Sequence, residues 1–166
     1  MSATNWTGLV ELFRSNRVRN DNAVKSAIKR AHINQGNDFV FLNLVHNHID
    51  IQDSDALMVA SVIGYMMYTY NNHTDEKYIS LGQLHRIMSL KSPTPEAVTR
   101  KLELLSNMPT VESLCRVVRT SSNVMACGKI NYVSLAYDLY SFKFTEQKKK
   151  TIRHWVKAYT GYGVEL

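Results

Sequence analysis

The sequence predicts an all-α protein of two small helical-bundle lobes, about eight to nine helices in all. Three observations carry that expectation. Apolar residues recur at i, i+3, i+4 and i+7 along most of the chain, which gathers them on one stripe of each helix. No segment of the 166 residues sustains the alternation of a half-buried strand. Helix starts are marked by short polar residues, most plainly where Thr94 caps and Pro95 takes the first helical position.

Taken in order, the first helix is expected over about residues 4 to 15, with Trp6, Leu9, Val10 and Phe13 inward. Arg14, Arg17 and Arg19 crowd its end, where cations complement the helix dipole. A second helix starts near Asn22 and buries Val24, Ala27, Ile28 and Ala31. On its outer side Lys25 and Lys29 stand one turn apart with Arg30 beside them, and an external anion would relieve their mutual repulsion. A short helix follows, capped by Asn37 or Asp38, and then a long one from Ser54 to about Tyr70 that is apolar nearly all round and so central to the first lobe. Another begins at Ser80-Leu81-Gly82, after the polar loop Asn71 to Tyr78.

That loop and the segment Lys91-Ser-Pro-Thr-Pro are the two possible lobe boundaries. The second holds two of the three prolines, so lobes of residues 1–91 and 92–166 are expected. In the second lobe Val98, Leu102 and Leu105 form one stripe, and Val111, Leu114, Val117 and Val118 the next, with Cys115 a buried thiol and Arg116 and Arg119 outward. Glu112 lies four residues before Arg116, the spacing of an ordinary surface ion pair. A small-residue loop, Ser121 to Gly128, leads to two closing helices joined near Lys143 and Phe144, with Thr145 as cap of the last. Asp138, inside the first of them, is expected to accept a hydrogen bond or partner a base. In the last helix Ile152, Trp155, Val156 and Tyr159 are expected to face the core, while Lys150, Arg153 and Lys157 fall within about 60° of one another on the other side. Lys149 borders them, and only Glu146 offsets them.

The net charge of +6 is unevenly spread, at +4 over residues 1–30, −4 over 31–90 and +6 over 91–166. Such segregation points to one side that meets a polyanion and another that meets protein. With 20% charged and 45% hydrophobic residues the chain is of the folded class. Its most apolar run, Ala56 to Tyr70, is too short to span a bilayer and no secretory leader is evident, so no membrane partner and a cytoplasmic location are expected. Enzyme chemistry finds no constellation. Cys115 and Cys127 lack zinc or redox spacing, and His46 and His48 diverge by about 200° on a helix. Asp50, Asp53 and Asp55 lack the glycine and closing glutamate of a calcium loop and read as caps for the long helix. No glycine-rich phosphate loop is present, so no cofactor, metal or catalytic residue is expected.

Four features in sequence resemble the small subunit of the type I-E CRISPR surveillance complex, the CasB family. They are Asn20-Asp-Asn-Ala-Val-Lys-Ser-Ala-Ile-Lys29-Arg30; the apolar helix Ala56 to Met67 followed by Ser80-Leu81-Gly82; Arg100-Lys-Leu-Glu-Leu-Leu105 followed by Leu114 to Arg119; and Leu135 to Leu139 followed by Arg153-His-Trp155-Val-Lys-Ala-Tyr159. The likeness spans about residues 5 to 160 and rests on the order and spacing of pieces that are individually weak. In place of the family's usual residues, Gln83 follows Gly82, and Tyr140 or Phe142 stands where Trp is common after the Asp-Leu pair.

The resemblance implies a non-enzymatic helical protein of the Cascade complex, active in antiviral defence. Its partners would be the guide RNA, the target and displaced DNA strands, the backbone subunits, the large subunit and a second copy of itself. Phosphate contacts without base reading suit such a role. The residues expected to form a discontinuous basic track for nucleic acid are Lys29, Arg30, Arg100, Arg116, Arg119, Lys143, Lys150, Arg153 and Lys157. The alternative is a basic helical protein–protein adaptor with no nucleic-acid contact.

Overall fold

A computed structural model describes residues 4–76 and 79–161, so the last two positions of the loop Asn71 to Tyr78 lie outside the described residues. The fold is all-α. Among the described residues eleven α-helices and one 3-10 turn succeed one another with no strand, and a lone bridge joins His73 to Ile130. The two helices beyond the expected count are single turns, α2 (Asn16–Arg19) and α9 (Ser122–Met125), too short to leave a periodic signal. No helix of the described residues is long and apolar enough to cross a membrane.

The chain divides into two compact units, Met1–Asn71 and Asn72–Leu166. The division therefore lies at the first of the two expected boundaries and not after Lys91. The prolines near residue 93 mark a turn inside the second unit, because α6 (Leu81–Lys91) packs against the helices on both sides of it in space, α7 (Pro95–Ser106) and α11 (Thr145–Thr160).

In the first unit, α1 (Trp6–Arg14) buries Trp6, Leu9, Val10 and Phe13, the stripe its spacing predicts. Asp21 starts α3 (Asn22–Arg30) by accepting from the Ala23 and Val24 amides at 3.0 and 3.2 Å. Ala27 and Ile28 are buried, while Val24 is only half-buried. Beyond the 3-10 turn Ala31–Asn34, Asp38 caps α4 (Phe39–Val45), accepting from the Phe41 amide at 3.0 Å. Asp53 caps α5 (Ser54–Tyr70) in the same way, and Asp50 accepts from the Gln52 amide. Eleven of the seventeen residues of α5 are buried, so it is the core of the unit. Gly64 lets it approach α3 and α1, since a Cβ there would come within 2.8 Å of the Ile28 side chain and 3.3 Å of the Phe13 ring. Asn71 ends the helix in the left-handed region at φ 47°.

In the second unit, Thr110 and Ser113 form a reciprocal cap at the start of α8 (Val111–Thr120), and Asn131 caps α10 (Tyr132–Ser141). Cys115 is buried, as its place on the α8 stripe predicts. Two polar links tie α10 to α11: the Trp155 indole N–H donates to Asp138 Oδ2 at 2.9 Å, and the Ser141 and Thr151 hydroxyls meet at 2.7 Å. Asp138 is thus an acceptor within the unit, one of the two roles expected of it.

Candidate nucleic-acid interface

A basic surface of the second unit is built on α11, and what buries the other side of that helix decides where its cations point. The buried residues are Thr151, Trp155 and Ala158, at i, i+4 and i+7. This is rotated from the expected stripe. Val156 is 51% exposed, and Ile152 and Tyr159 are half-buried. The cause is Gly82 on α6, where a Cβ would strike the Trp155 carbonyl oxygen and touch the Ala158 methyl. So close a crossing selects small side chains, and Ala158 takes the inner position that hydrophobicity alone assigns to Val156. Thr145 does not cap the helix either. Phe144 holds the cap position with no side-chain bond, and Glu146 in the first turn supplies the negative charge that the helix start favours.

Two hydrogen bonds orient α11 against α7. The Thr99 and Tyr159 hydroxyls meet at 2.6 Å, and the Lys148 ammonium donates to the Met108 carbonyl at 2.7 Å, so the helices run antiparallel. At one end of the pair the Arg86 guanidinium donates to the Tyr159 carbonyl at 3.1 Å and lies against Gly161, which closes α11 at φ 74°.

The cations then separate by what they touch. Lys150, Arg153 and Lys157 are exposed on one face of α11 and, among the described residues, have no acidic partner. Lys149 pairs with Glu146 at 3.2 Å. Lys148 is turned inward and stands 4.9 Å over the Phe142 ring as well as bonding Met108. Lys143 lies over the Tyr140 and Phe144 rings at 5.6 and 6.0 Å, an aromatic setting that leaves the ammonium at the surface. Arg116 is engaged by Glu112, the pairing that their spacing predicts. Arg119, on the same helix, is half-buried and has no acidic partner among the described residues, and Arg100 is exposed on α7 one residue past Thr99. Burial and then the Lys157 cation push the His154 imidazole below its usual range. In the first unit Lys29 and Arg30 are both exposed in the last turn of α3.

Of the nine residues expected to bind nucleic acid, three therefore share one unpaired face, one is bound in an ion pair, and two belong to the other unit. Arg19 and Lys25, outside that set, line a cavity with Lys29. The Lys25–Lys29 spacing is visible in the sequence, but their convergence with Arg19 is a product of the fold. Among the described residues no group of three His, Cys, Asp or Glu side chains is placed to hold a metal ion. No family model, curated protein or solved structure matches the chain.

Proposed function

We propose that this chain is a non-catalytic, nucleic-acid-binding small subunit of a type I-E CRISPR surveillance complex, in which its basic helix faces hold strand phosphates and so prolong the opened state of target DNA. The observation that carries this reading is the α11 face, where Lys150, Arg153 and Lys157 stand exposed and unpaired while Trp155 fixes the helix from behind. Three like charges one turn apart repel one another, and a phosphate chain lying along them removes that cost and releases its own counterions. Exchange of a DNA strand for a guide RNA is close to balanced energetically, so a few such contacts decide how long the open state lasts. Ile33 and Phe39, 76% and 83% exposed, suit contacts to other subunits of an assembly.

The test is the variant K150E/R153E/K157E reconstituted with its guide complex. The lifetime of opened target DNA should fall at least tenfold, with the helical signal and thermal midpoint of the variant unchanged. An unaltered lifetime rejects the reading for this face and favours the protein-only adaptor.

A further inference from the structure

The first unit contains a cavity of about 300 Å³, at the small end of the range for ligand sites. Its wall combines three cations, Arg19 from the end of α2 and Lys25 and Lys29 from α3, with Tyr68 and Met67 of α5 and with Asn71 beyond it. We infer that this cavity is a phosphate-ester site that takes one phosphorylated nucleotide, either free or as one link of a single strand. The polynucleotide form rests on the function proposed above, and the free-nucleotide form does not.

The charge of the lining favours an anion. No carboxylate lines the cavity, and among the described residues none of the three cations has an acidic partner. Asp21, the acid lying between Arg19 and Lys25 in sequence, is committed to the Ala23 and Val24 amides as the cap of α3. Lys25 and Lys29, one turn apart, repel each other, and Arg19 adds a third positive group from a separate element. A phosphate with its negative oxygens is the ligand that turns this unfavourable cluster into a favourable one, with the planar guanidinium able to bind two oxygens at once.

Tyr68 and Met67 give the same cavity an aromatic and apolar lining beside the cations. The Tyr68 hydroxyl donates to the Phe13 carbonyl at 2.6 Å, which fixes the ring and leaves oxygen lone pairs, not a proton, for a ligand. Burial raises the phenol's pKa, so it stays neutral beside the Arg19 cation that pulls the other way. The ring and the Met67 thioether give an apolar side against which a sugar or base packs while its phosphate faces the cations. Asn71, whose backbone N–H donates to the Met67 carbonyl in a left-handed turn, adds a side-chain donor and acceptor to the lining. The site thus combines charged and aromatic lining, of which a bare inorganic anion would use only the charged part.

The full chain, labelled with nitrogen-15, is titrated in turn with adenosine 5′-monophosphate, thymidine 5′-monophosphate, adenosine, inorganic phosphate and an eight-residue oligothymidylate. Amide shifts at Arg19, Lys25, Tyr68 and Asn71 are followed. Saturable shifts with the two nucleotides, with affinity at least tenfold above that for adenosine or phosphate, are expected, and R19Q/K25Q should lose at least tenfold in nucleotide affinity. A milder K25R variant that retains binding shows that the loss is one of charge and not of fold. If no phosphate ligand moves these amides while the oligonucleotide binds elsewhere, the cavity inference falls and the proposed function stands. If nucleotides bind here and the oligonucleotide binds nowhere, the cavity stands and the strand-holding role falls. Equal response to inorganic phosphate and nucleotide overturns the claim for the aromatic wall, and equal response to adenosine overturns the claim for the cations.

Discussion

Asp138 is the residue whose chemistry the fold changes most. Burial pushes its carboxyl from 3.8 up to about 7, and the Trp155 indole N–H offsets part of the shift by donating to it. In the unfolded chain the group ionises near its ordinary value. Between roughly pH 4 and pH 7 the folded state therefore holds the proton that the unfolded state has released, and stability falls across that window as pH rises. Above pH 7 the carboxylate is charged in both states and the whole cost persists. Asp138→Asn keeps an acceptor for Trp155 and removes the charge. Its thermal midpoint should exceed that of the parent at pH 8 by the equivalent of about 4 kcal/mol and converge with it near pH 4. Parallel melts at the two pH values check this, and an identical offset at both would show that ionisation is not the cause. The sequence marks Asp138, inside an apolar helix, as an acceptor or the partner of a base without showing which, or which donor it meets, since Trp155 is seventeen residues away. The Glu112–Arg116 pair was legible because one helical turn contains both partners.

At the scale of the element, the crossing of α6 and α11 explains what periodicity missed. An apolar pattern reports which face of a helix is greasy, and by that measure Val156 belongs inside and Ala158 is neutral. Contact distance overrules the pattern when a glycine on the neighbouring helix draws the two backbones together, and no property of residues 145–160 taken alone records Gly82. Substituting Gly82→Ala forces α6 and α11 apart or twists them, because the new methyl meets backbone atoms of Trp155 that cannot rotate away. A loss of 1–3 kcal/mol is expected for such overpacking, read as a fall of several degrees in the melting of the second unit by circular dichroism. A neutral result would mean that the crossing gives way cheaply. Elsewhere the elements were readable. The α1 stripe and the caps at Asp38 and Asp53 follow from side-chain chemistry within a few residues of each site, whereas single-turn helices such as α2 do not last long enough to show a period.

For the molecule as a whole, the division after Asn71 changes the meaning of the charge pattern. The first unit carries six basic residues, Arg14, Arg17, Arg19, Lys25, Lys29 and Arg30, and six acids, Glu11, Asp21, Asp38, Asp50, Asp53 and Asp55, and so is formally neutral, while all of the net +6 falls to the second. Formal neutrality conceals an asymmetry of use. Asp21, Asp38 and Asp53 are occupied as helix caps and Asp50 by the Gln52 amide, whereas the cations of α3 remain outside such bonds. Under the proposed function both units would contribute phosphate contacts. If about four form on single-stranded DNA, log affinity should fall with log salt at a slope of about −3, and K150E/R153E/K157E should lose about two units of that slope. A slope near zero in salt titrations of the parent chain would leave its charge without a nucleic-acid role. Within this surface the run Lys148-Lys149-Lys150 has one further implication. Three neighbours with the same covalent structure are sorted by the fold into a tether for the Met108 turn, a counterion for Glu146 and an amine open to solvent, so an acylating reagent or a lysine-modifying enzyme meets three different nucleophiles, of which Lys150 is exposed and outside any acidic pairing among the described residues.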